Sequence, residues 1–192
     1  MPPRPSRNGP VLAAIDIGSN AIRLKVARPG VDGTLEALHE ERDPVRPGEG
    51  VFTRRLIRRE VADRVLATLR RYAALCRRHH AQVRAVATSA VREARNRDEI
   101  LARARREAGL SIDVVSGKEE ARLICMGVLR GTPDSKRSLI IDIGGGSTEV
   151  AIAVGEKPLE LYTISLGSVR LSEIFDTRGV VRRKELSTMR QY

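Results

Sequence analysis

Aromatic residues, long hydrophobic runs and cysteines are all scarce in this chain of 192 residues. Aromatic side chains make up 3% of the sequence and tryptophan is absent, which disfavours the stacking platforms that bind single-stranded nucleic acid. The apolar stretches are too short to span a bilayer, and the basic, proline-rich N-terminus lacks the apolar core of a signal peptide. We therefore expect neither a membrane nor a nucleic-acid partner.

The two cysteines also carry information. Cys76 and Cys125 each lie among the apolar residues of a predicted helix, and their spacing matches no metal-binding motif. Reduced core thiols of this kind indicate a cytoplasmic protein.

Positive charge is abundant but unevenly distributed. The net charge is +11, and the segment Thr53–Gly109 holds sixteen arginines against six acidic residues. Such a patch attracts polyanions. The alternative is a solvated helix face produced by a general preference for arginine, which outnumbers lysine 30 to 5. The pattern leaves both interpretations open.

Hydrophobic periodicity predicts a mixed α/β chain. After a disordered tail over residues 1–10, three strands form an antiparallel meander, and strands and helices then alternate in the order βββαβαβα. Gly and Pro near residue 133 mark the boundary between a first domain, residues 11–132, and a second region, residues 133–192. The second region repeats the meander and adds a helix. The predicted helices of the first domain span residues 54–81, 88–108 and 118–129.

A glycine-rich stretch, LIIDIGGGSTEV at residues 139–150, predicts two strands joined by a tight turn. Its glycines leave the backbone amides open to a ligand. Asp142 ends the incoming strand, where its carboxylate could hold a divalent cation, and an amide cradle beside an acid suits a phosphate carried with Mg²⁺. An ordinary hairpin is the alternative, because glycine is common in such turns.

The same four residues, Ile-Asp-Ile-Gly, occur at positions 15–18 and 141–144. Apolar residues precede each copy, and a small polar turn and a second apolar strand follow it. Repetition of this kind predicts two related lobes that open with the same hairpin. If the hairpins face one another, Asp16, Asp142 and two sets of turn amides meet in a cleft suited to a phosphate chain with its metal.

These hairpins resemble the phosphate loops of the actin, Hsp70 and sugar-kinase superfamily. Within it, the chain is similar to the exopolyphosphatase and guanosine pentaphosphate phosphohydrolase family. The resemblance implies an RNase H-like, actin-like α/β lobe followed by the beginning of a second, truncated lobe of the same type. It also implies Mg²⁺-dependent hydrolysis of the terminal phosphate of polyphosphate. Its four segments are AAIDIGSNAIRLKVAR (13–28), AVATSAVREARN (85–96), VVSGKEEARLICMGV (114–128) and LIIDIGGGSTEV (139–150).

The resemblance further implies roles for individual residues. It places the catalytic base on Glu120, although acidic residues in a first helical turn ordinarily complement the helix dipole. Arg92 matches a phosphate-contacting arginine, whose fork suits bidentate binding of phosphate. The phosphate ligands are then Asn20, Arg92, Gly144, Gly145, Gly146, Ser147 and Thr148, and the candidate Mg²⁺ ligands are Asp142, Glu149 and Asp16.

Several functions stay open from the sequence. Inorganic polyphosphate and guanosine pentaphosphate are both expected substrates, because the motifs are common to the two activities. A truncated, non-catalytic module that binds polyphosphate is a second hypothesis. An actin-like or sugar-kinase ATPase is a third, against which the SGKEEARL motif argues. The sequence leaves the oligomeric state open, and a homodimer is compatible with it.

Overall fold

The computed structural model describes residues 9–31, 33–175, 177 and 179–192. Residues 1–8 of the predicted tail lie outside the described residues. Within the described part, no helix combines the length and apolar character that a membrane crossing requires.

A five-stranded mixed sheet forms the centre of the first half of the chain. Its strand order is β3-β2-β1-β4-β5. The first three strands are antiparallel, as predicted, and β4 and β5 run parallel to β1. The bounds are β1 Leu12–Ile17, β2 Ile22–Pro29, β3 Leu35–Asp43, β4 Gln82–Ala87 and β5 Ile112–Val114.

Four helices accompany this sheet, where the hydrophobic pattern predicted two. They are α1 Val51–Arg54, α2 Arg59–Arg78, α3 Ser89–Glu93 and α4 Arg97–Ala108. The predictions of continuous helices over 54–81 and 88–108 were wrong for one common reason. The side chain of Asn96, between α3 and α4, accepts a hydrogen bond from Ile57 N at 3.1 Å and donates one to Ile57 O at 2.9 Å. These bonds satisfy the N–H and C=O groups of Ile57, between α1 and α2, without helical hydrogen bonds.

The main hydrophobic core lies between this sheet and α2 and α4. Ile15, Leu24, Leu66, Leu69 and Tyr72 are among its fully or almost fully buried members. They lie on alternate positions of strands or on one face of α2, so that each element turns one apolar side towards the core.

The arginine-rich segment forms the outer faces of α2 and α4. Part of its charge is neutralised between elements, since Arg70 pairs with Glu107 at 2.9 Å and Arg103 pairs with Asp63 at 2.9 Å. Such exposed pairs contribute little to stability. The helix-face interpretation accounts for these arginines without a ligand.

A second, antiparallel sheet contains β6 Arg137–Ile143, β7 Thr148–Val154 and β8 Lys157–Ile164 in the order β6-β7-β8. Helix α5, Gly117–Val128, covers one face of it. Cys125 and Leu129 pack there against Ala151 and Ala153. The helix therefore packs on the second sheet although it precedes the predicted domain boundary at residue 133, which stays a prediction.

The opposite face of the second sheet is apolar and exposed. Ile143, for example, has a relative exposure of 72%. The other exposed apolar residues on this face are Leu139, Ile141, Ile152, Tyr162 and Ile164. Two further helices follow, α6 Ser168–Ile174 and α7 Arg183–Gln191, and α7 has no buried residue among those described.

Candidate active site

The two Ile-Asp-Ile-Gly hairpins form the same turn. In the first, Gly18 N donates to Ala21 O at 3.1 Å, and in the second, Gly144 N donates to Ser147 O at 2.9 Å. Four residues connect the strands in each case, because Ile17 pairs with Ile22 and Ile143 pairs with Thr148. The repeat in the sequence is thus a repeat in backbone geometry.

The two turns face one another at close range. A Cβ atom built on Gly145 would lie 3.0 Å from Ser19 Cβ and 3.3 Å from Asn20 N. One built on Gly146 would lie 2.3 Å from Ser89 Oγ. Real Cβ atoms essentially never approach a neighbour as closely as the Gly146 distance, and the Gly145 distances are tighter than most real Cβ contacts. Glycine is therefore required here by the contact between the turns, and the predicted meeting of the two hairpins is present.

A cavity of about 220 Å³ opens beside this contact. Asp16 and Asp142 line it from the ends of β1 and β6, and Asn20 lines it from the first turn. Gly144, Gly145 and Ser147 contribute from the second turn, and Glu120 contributes from α5. Both hairpins and α5 therefore surround one small polar space.

The three glycine carbonyls of the second turn are bound on one side by α6. Gly144 O accepts from Ser168 N at 3.0 Å, and Gly145 O accepts from Val169 N at 2.8 Å and Arg170 N at 3.0 Å. Gly146 O accepts from Arg170 Nε at 2.7 Å.

In a trans peptide the N–H points opposite to the carbonyl. The amides of Gly145, Gly146 and Ser147 therefore point away from α6. No acceptor for them is found among the described residues. Successive free amides of this kind form an anion-binding nest.

Two features hold Glu120 at the cavity: the capped start of its helix and a hydrogen bond to its carboxylate. Ser116 caps α5, its Oγ accepting from Glu119 N at 3.2 Å, which fixes the start of the helix. Arg92 donates to Glu120 Oε2 at 3.1 Å and to Val115 O at 2.8 Å. The Glu120 side chain is only 16% exposed.

The electrostatic surroundings make Glu120 a base suited to neutral pH. Burial raises its pKa to about 7, and the charges of Glu149 and Asp16 act in the same direction against the lowering effect of Arg92. The adjacent Glu119 differs, since its two hydrogen bonds with Arg122 lower its pKa.

The three predicted metal ligands do not lie together on the cavity wall. Asp16 and Asp142 line it, and burial raises the pKa of Asp16, opposed by Arg23 and reinforced by Asp142. Glu149 is buried: one oxygen accepts from Thr163 Oγ1 at 3.0 Å, and Oε2 has no partner among the described residues. The described residues contain no cluster of three or more metal-ligating side chains.

Two carboxylates nevertheless fit Mg²⁺. This ion keeps several waters and is commonly held through one or two carboxylates together with substrate phosphates. Asp16 and Asp142 provide that pair, and the unpartnered oxygen of Glu149 is a further acceptor nearby in the chain.

Three predicted phosphate ligands lie off the cavity wall. Arg92 stands behind Glu120, and Gly146 lies in the contact between the turns. Thr148 Oγ1 donates to Leu166 O at 2.6 Å. Their direct contact with phosphate stays a prediction.

The wall also contains residues that the sequence did not single out: Ser19, Arg23, Arg42, Thr88, Ser89 and Ser168. Ser19 could have been found, because it occupies the position of Gly145 in the repeat. Ser89 follows β4 and bonds to Ser19 Oγ at 2.8 Å, a contact without a sequence signal. Thr88 occupies the N-cap position of α3 but makes no capping bond.

The Ppx/GppA phosphatase family profile matches residues 26–192. The chain belongs to the Ppx/GppA phosphatase family. It is similar to the crystal structure of an exopolyphosphatase from Cytophaga hutchinsonii, with 31% identity, a TM-score of 0.88, and coverage of 95% of this chain and 59% of that one. It is also similar to the Ppx/GppA family member of Aquifex aeolicus, with 30% identity, a TM-score of 0.77, and coverage of 93% and 58%.

This Ppx/GppA chain thus spans less than three fifths of the length of these solved relatives. A likeness in fold alone extends to the ethanolamine utilization protein EutJ of Carboxydothermus hydrogenoformans, at 17% identity and a TM-score of 0.50, over 100% of this chain and 63% of that one. The predicted family and the predicted α/β, actin-like fold class are both confirmed.

Proposed function

We propose that this Ppx/GppA chain hydrolyses the terminal phosphoric anhydride of inorganic polyphosphate, with Glu120 as the general base. One observation carries the proposal. A carboxylate with a pKa of about 7 lines the same small cavity as Gly145 and Ser147, two of the three nest residues whose N–H groups have no acceptor within the described residues. Attack of water on a bound phosphate requires a site that binds the phosphate and, next to it, a group that accepts a proton from the water.

In the proposed reaction, the terminal phosphate accepts hydrogen bonds from the amides of Gly145, Gly146 and Ser147. Glu120 orients a water molecule and takes one of its protons as the water oxygen bonds to phosphorus. The bridging P–O bond breaks, and its electron pair stays with the departing chain. The products are orthophosphate and a chain one phosphate shorter. The amides favour the charge that gathers on the phosphoryl oxygens.

We propose Mg²⁺ as the cofactor. Asp16 and Asp142 would hold it, with Glu149 as a further candidate ligand. When bound, the ion neutralises the charge of the phosphate oxygens. Arg92 keeps Glu120 in place through its hydrogen bond of 3.1 Å.

The test of the function is phosphate release from polyphosphate by the purified chain with Mg²⁺. We expect the rate to increase between pH 5 and pH 8 with a midpoint at or below the Glu120 pKa of about 7, because only the ionised carboxylate accepts a proton. Bound Mg²⁺ shifts this midpoint downward by favouring nearby negative charge. A rate that is constant over this range would contradict Glu120 as the base.

A second measurement tests the metal site. We expect Asp142→Asn to increase the Mg²⁺ concentration needed for half-maximal turnover by about tenfold, because a charged ligand becomes neutral. The matched control is Asp113→Asn, since Asp113 is 65% exposed on β5 and pairs only loosely with Arg84 at 3.8 Å. Equal Mg²⁺ requirements in the two variants would argue against Asp142 as a ligand.

Guanosine pentaphosphate is the alternative substrate, and the same assay with both compounds side by side decides between them. A non-catalytic polyphosphate-binding module is the second candidate function. The exposed apolar face of the second sheet, beside the candidate site, is the observation that favours it. Salt-sensitive binding without phosphate release would support it.

We further propose a cytoplasmic location, with which the free, buried thiols of Cys76 and Cys125 agree. The homodimer stays a prediction.

A further inference from the structure

Arg170 in α6 is a buried arginine that contacts both halves of the molecule. Its side chain has a relative exposure of 7%. Its Nε donates to Gly146 O at 2.7 Å, and its terminal nitrogen pairs with Glu93 at the end of α3. The guanidinium also lies over the ring of Phe52 in α1, 4.2 Å from the ring centroid. One side chain thus joins the second hairpin to two helices of the first half.

These contacts involve both the edges and the face of the planar guanidinium group. One edge of the guanidinium satisfies a carbonyl, another satisfies a carboxylate, and its face covers an aromatic ring. A buried charge is tolerated only when it is paired in this manner. Lysine could meet Glu93 with its single ammonium group, but it would not reach the Gly146 carbonyl in the same geometry.

The bond to Gly146 O has a direct effect on the phosphate nest. It fixes the peptide that joins Gly146 to Ser147, so the Ser147 N–H is held pointing away from α6. The carbonyls of Gly144 and Gly145 are bound by backbone amides of α6. These amides, including that of residue 170, are present whatever side chain occupies position 170. The Ser147 amide alone depends on a side chain for its direction.

We propose that Arg170 is a positioning residue for phosphate binding, which orients the Ser147 amide and ties the second hairpin to α3. Helix α3 also carries Arg92, the partner of Glu120. Arg170 therefore connects the anion-binding turn with the element that holds the base. This inference rests on the proposed function, since it assigns the nest a phosphate.

The experiment measures binding of tripolyphosphate with Mg²⁺ to the full chain by calorimetry, together with ¹⁵N NMR signals of the turn amides. Arg170→Met keeps an unbranched apolar side chain but removes the guanidinium, with its bonds and its contact over Phe52, and Arg170→Lys keeps a positive charge beside Glu93. The matched control is Arg55→Gln, because Arg55 pairs with the same Glu93 at 3.2 Å but is 55% exposed and has no bond to the hairpin.

We expect affinity to fall at least tenfold in Arg170→Met and at least fivefold in Arg170→Lys, with the Ser147 amide signal shifted in both free proteins. Arg55→Gln should bind within twofold of the unsubstituted chain. Arg170→Lys decides the question if Arg170→Met does not fold.

Binding by Arg170→Lys within twofold, with an unchanged Ser147 signal, would overturn the inference while leaving the proposed function intact. Absence of tripolyphosphate binding to the unsubstituted chain would instead remove the proposed function itself.

Discussion

Replacing Glu120 with Gln is expected to reduce phosphate release from polyphosphate by about a thousandfold, the usual scale of general-base catalysis. Glutamine has nearly the same shape and still accepts the hydrogen bond from Arg92, but its amide cannot take a proton from water. Binding of tripolyphosphate should change by less than threefold. Turnover and calorimetric affinity, measured on the same preparation, separate the two effects.

The control for this variant is Glu119→Gln. Glu119 is adjacent in sequence but bonds to Arg122 at 2.7 Å and is not part of the cavity wall, so its loss should leave turnover within about twofold. Turnover of Glu120→Gln within tenfold of the unsubstituted chain would place the base elsewhere.

The same substitution has an expected effect on stability. The pKa of Glu120 is raised to about 7 from its ordinary 4.5, so the folded state binds this proton more tightly than the unfolded chain. Stability therefore falls as pH rises from 4.5 through 7, by on the order of 3 kcal/mol. Glu120→Gln avoids this loss. Thermal unfolding should show equal stability near pH 4.5 and a more stable variant at pH 8.

Replacing Gly146 with Ala should damage both the fold and the site. The added Cβ would lie 2.3 Å from Ser89 Oγ and 2.4 Å from Phe52 Cζ, and overpacking of this kind costs about 1–3 kcal/mol. To relieve the clash, the second turn must move away from α1 and α3, and also from Ser19 of the first turn, whose Oγ would lie 2.8 Å from the added Cβ. Displacement of the nest by about 1 Å should weaken turnover by roughly a hundredfold. Denaturant unfolding and the phosphate-release assay measure these losses.

Gly127→Ala provides the comparison, because a Cβ at Gly127 in α5 meets nothing within 4 Å. Alanine there should stabilise the helix by about 0.5–1 kcal/mol without changing turnover. Equal behaviour of the two alanine variants would show that contact between the turns is unimportant.

The duplicated hairpin was accessible from the sequence because its signal is local. An apolar run, an acid and small turn residues appear within a few positions of each other, and the repeat of Asp16 and Asp142 shows that the two copies belong together. Glu120 was found through the family motif alone. Its position in the first turn of α5 would otherwise indicate a dipole partner, and its raised pKa arises first from burial and then from the charges of Glu149 and Asp16, which are distant in sequence.

What the sequence did not reveal depends on contacts between distant segments. The interruptions in the two predicted helices follow from the bonds between Asn96 and Ile57, 39 residues apart. The bond between Ser19 and Ser89 spans 70 residues. Arg170 carries no sequence signal, and its contacts with Gly146, Phe52 and Glu93, the last 77 residues away, distinguish it. Periodicity describes a single element and carries no information on such pairs.

The ion pair between Arg92 and Glu120 connects two separate parts of the fold. Arg92 follows β4 of the first sheet, whereas Glu120 lies in α5, which packs on the second. A displacement that separates α3 from α5 would lengthen the 3.1 Å contact. Since Arg92 lowers the pKa of Glu120, such a separation would raise that pKa and favour the protonated carboxyl. The proton affinity of Glu120 therefore depends on how the two sheets are placed relative to each other.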